Sequence, residues 1–289
     1  MPGASTITHV SDTARWVAVY RALETERPDA IFRDPFARRL AGERGAAIAK
    51  AMDKRNRADW PMIVRTAVMD EIILRAVRDD GVTQVVNLAA GFDARPWRLA
   101  LPPTLRWIDV DHPVMLDEKE QALAGERTAC HYEGVRLDLA DMTARRALFE
   151  RLSREGRRTL VVSEGLLVYL ESEHVAALAA DLAATRGFDL WLFDLAGPGL
   201  LKMMRRSWGK AVDAGNAPFR FAPPESTAFF ATAGWKEREW RNTMDEAFRL
   251  KRTFPMAGFF RFLGRFMPKR KREEFKRFSG MAVLERSGR

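Results

Sequence analysis

Cysteine is almost missing from this 289-residue chain, and its scarcity excludes a whole class of architecture. Cys130 alone can close no internal disulfide and build no cysteine metal cluster. It sits beside strand-like residues and reads as a small buried hydrophobe. Histidine is nearly as scarce: His9, His112, His131 and His174 show no ligand-like spacing, so no metal is expected. No uninterrupted apolar stretch approaches the roughly 18 residues needed to cross a bilayer. The opening MPGASTITHV lacks the charged start and apolar run of a secretory signal, which makes a cytoplasmic location the expectation. Neither an internal repeat nor a second glycine fingerprint is visible.

What is present suffices for a sizeable core. With 47% hydrophobic residues the chain can fold as one large α/β domain, or as a core carrying a cap. Its formal net charge of +9 is unevenly placed. Ten basic residues lie between Lys251 and Arg277 against Glu273 and Glu274, while the remainder is close to neutral. The basic composition therefore reports on one segment, and no nucleic-acid partner is expected for the whole protein.

The chain is organised around QVVNLAAGFDARPWRL, residues 84–99. Val85, Val86 and Leu88 suit a strand buried on both faces of a parallel sheet, and Gly91 breaks it into a turn. Ala89, Ala90 and Gly91 are small enough for a ligand to lie against backbone, and Gly91 can take φ > 0. The next strand, LRWIDVD, ends in Asp109 and Asp111. An acid about 20 residues after a glycine turn is placed to hold a ribose diol, so the two stretches together describe a nucleoside site. The strict G-x-G-x-x-G pattern is met loosely, as Ala89-x-Gly91-x-x-Ala94, and a tight turn without a ligand is the plain alternative. Period-two alternation puts Asp109 and Asp111 on the same side, so the spacing leaves both open.

Three helices are expected ahead of that strand: from Ser11 to Glu26, capped by Ser11 or Asp12, with Trp16, Val19, Tyr20 and Leu23 on one face; after Asp34-Pro35, with Phe36 and Leu40 together; and from about Pro61 to Val77. Arg65 lies in the third among apolar neighbours, either a solvated cation or one reaching an anionic ligand. From Val82 strands and helices alternate, which calls for a parallel sheet covered on both faces. Strands are read near residues 131–139, in TLVVSEGLLVYL, in FDLWLFDLAG, in WKEREW and in MAVLERS, seven in all.

The set NLAAGFDARPWRL, WIDVDHP, RLDL and SEGLLVYL, together with the N-terminal ARWVAVYRALETERPDAIFRDPFARRL, resembles the leucine carboxyl methyltransferase type of S-adenosylmethionine-dependent methyltransferase, in its bacterial branch. The resemblance covers most of the chain to about residue 195. It implies a seven-stranded Rossmann-like class I methyltransferase sheet in residues 81–289, an N-terminal helical extension over residues 1–80 that covers the cofactor, and a helical insert, 241–279, before the last strand. It also implies S-adenosyl-L-methionine as cofactor, with Ala89 and Gly91 beside its methionine part, Asp111 at the ribose, Asp138 and Leu139 at the adenine, Glu164 at the mouth of the fourth strand and Arg65 on the carboxylate. Asp138 also fits the cap of a short turn. Ala89 departs from the glycine common in the family, a change easily accommodated only at negative φ.

The activity implied is O-methylation of a carboxylate or hydroxyl on a small-molecule acceptor, natural products included. Methylation of a protein C-terminus and a nicotinamide-dependent oxidoreductase are the alternatives, along with a non-catalytic nucleotide-binding module. A carboxylate acceptor needs no general base, and none is assigned among the histidines. Residues 251–277 interleave arginine with Phe259, Phe260, Phe262, Leu263, Phe266 and Met267. They read as a substrate cap for a hydrophobic acid or an acyl substrate whose anionic end the arginines pair, with a peripheral membrane helix and an RNA-binding patch as rivals.

Overall fold

Buried runs of valine, leucine and isoleucine form strands here, and the helices between them return the chain to the same edge, which makes those strands parallel. The computed structural model describes residues 11–52, 59–214, 218–264 and 266–287. His9 and Arg265, and the side chains of Ser11, Phe260 and Leu263, lie outside the described residues. Three helices come first: α1 (Ser11–Thr25), α2 (Ala37–Met52) and α3 (Asp59–Asp79). There follow β1 (Gln84–Leu88), α4 (Arg95–Arg98), β2 (Arg106–Asp111), α5 (Pro113–Ala122), β3 (His131–Arg136), α6 (Met142–Ser153), β4 (Thr159–Ser163), α7 (Ser172–Ala184) and β5 (Phe188–Ala196). The remainder is α8 (Pro198–Ala214), β6 (Trp235–Asn242), α9 (Thr243–Arg249), α10 (Ala257–Gly264), α11 (Lys269–Lys276) and β7 (Ser279–Arg286).

The seven strands form one sheet in the order β3-β2-β1-β4-β5-β7-β6. The first five are parallel, and β7 inserts antiparallel between β5 and β6. Alternation along the strands splits the core in two. Val86, Leu88, Trp191 and Phe193 pack against α6 and α7 through Phe149 and Leu178. Val85, Leu160, Leu190 and Met281 pack on the other face against α3 through Val68 and Ile72. A third cluster joins Trp16, Val19 and Tyr20 of α1 to Leu40 of α2, Phe92 and Met115, which seats the first two helices over the carboxyl end of β1.

Three local readings are corrected. Leu23 is 44% exposed, because the inward face of α1 is completed by Ala18 and Ala22 instead. Asp12 lies within α1 and pairs with Arg44 rather than capping the helix. The helix expected from Pro35 begins at Ala37, because the Asp34 carboxylate accepts the Phe36 amide and closes a turn first. The fourth strand ends at Ser163, which leaves Glu164 at its mouth as expected, and Gly165 then turns the chain at φ +66° into a single 3-10 turn at Leu167–Tyr169. The helix α8 was not legible: Pro198-Gly199 looks like a turn, yet proline suits the first turn of a helix.

One long-range contact ties the two ends of this architecture together. Arg252, 7% exposed, donates to both oxygens of the fully buried Glu24 and, at 2.5 Å, to the Asp29 carbonyl. Glu24 in turn accepts the Ile31 amide at 2.8 Å.

Candidate functional site

The turn after β1 is held by backbone geometry that side chains resist. Ala89 sits at φ +53° and Gly91 at φ +49°. For alanine that left-handed conformation costs about 1–2 kcal/mol, so the departure from glycine carries strain here. A Cβ on Gly91 would stand 3.2 Å from the Ala14 Cβ of α1, so the first helix lies directly on the turn.

Asp111 closes the turn from the next strand. Its Oδ2 accepts the Gly91 amide at 2.6 Å and its Oδ1 accepts the His112 amide at 2.6 Å. Burial raises its carboxyl pKa, and the two amides, which lower it, do not cancel that effect. The residue remains partly exposed, and each oxygen keeps a second lone pair. Asp109 is different. It is fully buried, with Oδ2 taking Lys119 Nζ at 2.5 Å and Oδ1 taking Trp107 Nε1 at 2.8 Å and Asn87 Nδ2 at 3.0 Å. Its acceptors are spent inside the protein, which separates two acids that spacing could not.

Glu164, the residue after β4, is gripped from two sides: Arg65 Nε of α3 at 3.0 Å and Arg95 Nη2 of α4 at 2.8 Å. Burial would raise its carboxyl pKa, and Arg95 and Arg65 outweigh that and lower it. Arg65 Nη1 donates to Asp194 Oδ2 at 2.9 Å, at the end of β5. Asp194 Oδ1 also accepts the Gly165 amide at 2.6 Å. A Cβ on Gly165 would lie 3.3 Å from Arg65 Nη1, so the small residue lets the guanidinium pass. The Arg65 Nη2 group makes no hydrogen bond among the described residues.

Beneath the turn lies an ionic lattice that no single stretch of sequence announces. Arg95, 2% exposed, donates to Asp70 at 2.6 Å and to Asp93 at 2.6 Å besides Glu164. Arg98 adds two bonds to Asp70, at 2.6 and 2.8 Å. Arg21 spans Asp34 at 2.9 Å and the Phe92 carbonyl at 2.5 Å, pinning α1 to the turn. Burial would push the Asp93 carboxyl up, but Arg95, Lys119, Arg98 and Arg21 hold it far below the usual carboxylate range. Charges this deep persist only when paired and hydrogen-bonded. The lattice thus fixes the turn whose backbone is strained.

Asp138 and Leu139 follow β3 beside Asp111, whose carbonyl accepts the Leu137 amide at 2.9 Å. The exposed Asp138 makes a local turn, its Oδ1 accepting the Ala140 amide at 2.9 Å, while Leu139 is half-buried against the α6 side of the core. Across the mouth, Tyr169 hydrogen-bonds Thr13 of α1 and stacks on Phe219 with centroids 5.6 Å apart. Trp16 meets Trp208 of α8 edge-on at 5.7 Å. His112, His131 and His174 are all exposed, and the described residues hold no cluster of three or more side chains suited to a metal. Cys130 is buried, as its strand-like surroundings imply, and burial pushes its thiol up to about 11.

The sequence reading missed Arg95, Asp93, Asp70, Asp194, Thr13 and Tyr169. Arg95 and Asp93 stand inside the quoted GFDARPWR, where an acid and a base two residues apart were a signal; Asp194, an acid closing an otherwise apolar strand, was another.

Comparison with known proteins gives the family and the fold. The leucine carboxyl methyltransferase family profile matches residues 14–183. A Parafrankia protein provisionally named an S-adenosyl-L-methionine-dependent methyltransferase is 32% identical over 277 residues, covering 87% of this chain and 86% of its own. A Streptomyces coelicolor protein of the same provisional name is 36% identical over 180 residues, 58% of this chain, and the match spans 62% of its own length. Two crystal structures share the fold at TM-score 0.62: a DUF574 family protein from Streptomyces avermitilis, at 13% identity over 95% of this chain and 97% of its own, and a methyltransferase so titled from Thermobifida fusca, at 12% identity over 98% and 96%. With the family match spanning more than half the residues, the chain belongs to the leucine carboxyl methyltransferase family of S-adenosyl-L-methionine-dependent methyltransferases.

Proposed function

We propose that this protein transfers a methyl group from S-adenosyl-L-methionine to a carboxylate or hydroxyl oxygen of a small-molecule acceptor. The observation that carries the small-molecule reading is the closeness of α1 to the glycine turn, with Ala14 over Gly91 and Thr13 bonded to Tyr169. A site roofed by its own first helix suits a compact acceptor better than a folded protein.

The chain offers partners for each part of the cofactor. The small residues Ala89 to Gly91 leave room for the methionine portion, and the free lone pairs of Asp111 match a vicinal diol. Asp138 and the half-buried Leu139 flank the place of the adenine. Arg65 keeps Nη2 for a carboxylate, while Glu164 and Asp194 fix its other nitrogens. When bound, the sulfonium supplies a methyl group already activated for transfer. The protein's part is then alignment, which can contribute on the order of 7–11 kcal/mol when the acceptor oxygen is held near attack distance. Burial raises the Tyr169 hydroxyl pKa, so it is a poor proton acceptor at neutral pH, and the described histidines are exposed. Both facts favour an acceptor that arrives as a carboxylate and needs no base.

Thermal denaturation tests the cofactor assignment. S-adenosylhomocysteine at about 100 times its Kd should add about 2.7 kcal/mol of stability by mass action, whereas NAD should add none. Incubation with methyl-labelled cofactor and a small-molecule extract, followed by mass spectrometry, identifies the acceptor. A response to NAD alone, or label recovered solely on polypeptide, overturns the proposal.

A further inference from the structure

The segment between β6 and β7 leaves and rejoins the sheet at the end where the cofactor turn lies. Asn242 pairs with Gly280, and Ser279 pairs with Ala196, the last residue of β5. At this root α10 buries Ala257 and sets Arg261 over the Phe248 ring, whereas no residue of α11 is buried. Five apolar side chains of the segment are exposed: Met256 is 66% exposed, Phe259 53%, Phe262 52%, Phe266 75% and Met267 43%. An insert folded down over the pocket would bury these rings. Phe262 and Phe266 meet edge-on with centroids 5.4 Å apart, and a monomeric soluble protein rarely exposes a large apolar patch unless something docks on it.

The charge beside this tip indicates what that something is. Lys269, Arg270, Lys271 and Arg272 follow directly. Arg270 pairs with Glu274 at 3.5 Å and Lys276 with Glu273 at 2.8 Å, whereas Lys269, Lys271 and Arg272 make no ion pair among the described residues. We infer that Met256, Phe259, Phe262, Phe266 and Met267, together with the basic helix Lys269–Lys276, form a docking surface for an anionic lipid bilayer. The Met and Phe tip enters the boundary between headgroups and acyl chains, and the basic helix lies against the phosphates. The eight residues of α10 extend about 12 Å, too short to span, so the contact is peripheral. Exposed apolar residues concentrate between Met256 and Met267 and the cations between Lys269 and Arg272, with Arg261 inside the apolar helix held over the Phe248 ring. A single-stranded nucleic acid would instead call for a positively charged groove floored by rings, and these rings stand on an exposed helix end. A second copy of this chain would bring two strongly basic surfaces together, which like-charge repulsion opposes.

Co-flotation of the full-length protein with vesicles tests the inference. Vesicles of phosphatidylcholine mixed with phosphatidylglycerol should retain the protein about a hundredfold more strongly than phosphatidylcholine alone, the gain expected from three unpaired cations near the surface. Salt at about 0.5 M should release it, since the Debye length then falls to about 4 Å. The double substitution Phe262→Ser and Phe266→Ser removes exposed side chains only. It should cut retention at least about tenfold, on the scale of two lost aromatic burials, with the melting temperature and the response to S-adenosylhomocysteine unchanged. Equal retention by both vesicle types overturns the inference. So does tighter binding of single-stranded RNA that these serines weaken, or self-association that they abolish.

Discussion

Replacing Arg95 by methionine removes the cation at the centre of the ionic lattice and leaves Asp70, Asp93 and Glu164 turned toward a space with no charge to balance them. Removing one partner of a buried pair costs about 3–5 kcal/mol, because the remaining charge stays desolvated. Arg98 still compensates Asp70 and Arg65 still compensates Glu164, which places the expected loss toward the lower end of that range. At about 2–4 °C per kcal/mol for a domain near this size, the melting temperature should fall on the order of 10 °C. The pH dependence gives a sharper test. In the native protein Asp93 and Glu164 titrate below their unfolded values, so their stabilisation is fully present above about pH 5 and declines as pH falls. Without Arg95, burial acts with less opposition and raises both values, so the variant regains stability as these groups take up protons. The difference between the two proteins should therefore be largest at neutral pH and shrink toward about pH 4–5. Urea unfolding followed by tryptophan fluorescence across that range measures it. A loss below about 1 kcal/mol, the ordinary size of a point-mutant effect, or a gap that widens on acidification, would refute the reasoning.

Three further outcomes follow from the turn. Asp111→Asn should abolish the thermal response to S-adenosylhomocysteine while the unliganded protein loses no more than about 1 kcal/mol; the raised carboxyl pKa means that charge already opposes folding at neutral pH, and an undiminished response removes Asp111 from the site. Gly91→Val combines a left-handed φ with a collision against Ala14, so it should displace α1 and cost about 2 kcal/mol or more in unfolding experiments; an unaltered melting curve would show that α1 does not bear on the turn. Ala89→Gly relieves the strain at φ +53°, offset in part by the larger unfolded-state entropy of glycine, and should leave stability unchanged or raise it by up to about 1 kcal/mol; a drop of that size would mean the alanine methyl makes a packing contact worth more than the strain.

How far the sequence could be read depended on the range of the interaction that fixes each part. Val85, Val86 and Leu88 announce a doubly buried strand because burial acts on every residue of a short run. The Gly91 turn and the acids after it are legible because a ligand loop constrains consecutive positions. Asp109 and Asp111 could not be told apart, since what separates them is Lys119, one face of a helix away and apparently an ordinary surface cation. Arg95 and Asp70 stand 25 residues apart and each looks like a solvated charge. Their burial is a product of the fold, and no local periodicity carries it. The same holds for α8, whose opening proline and glycine look like a turn until the sheet end places them at a helix start.

The contact between Arg252 and Glu24 has a consequence for the order in which the molecule can be built. A ribosome delivers α1 early, yet the buried cation that pairs with its carboxylate arrives 228 residues later, ahead of the strand that must slide between β5 and β6. Until then Glu24 has only the half-exposed Arg27, at 3.6 Å, and the Ile31 amide to offset its burial, so nascent chains should hold the first helix loosely and lock it only once residue 252 has emerged. Nascent-chain proteolysis would show it as cleavage near α1 that persists through most of synthesis and then stops abruptly.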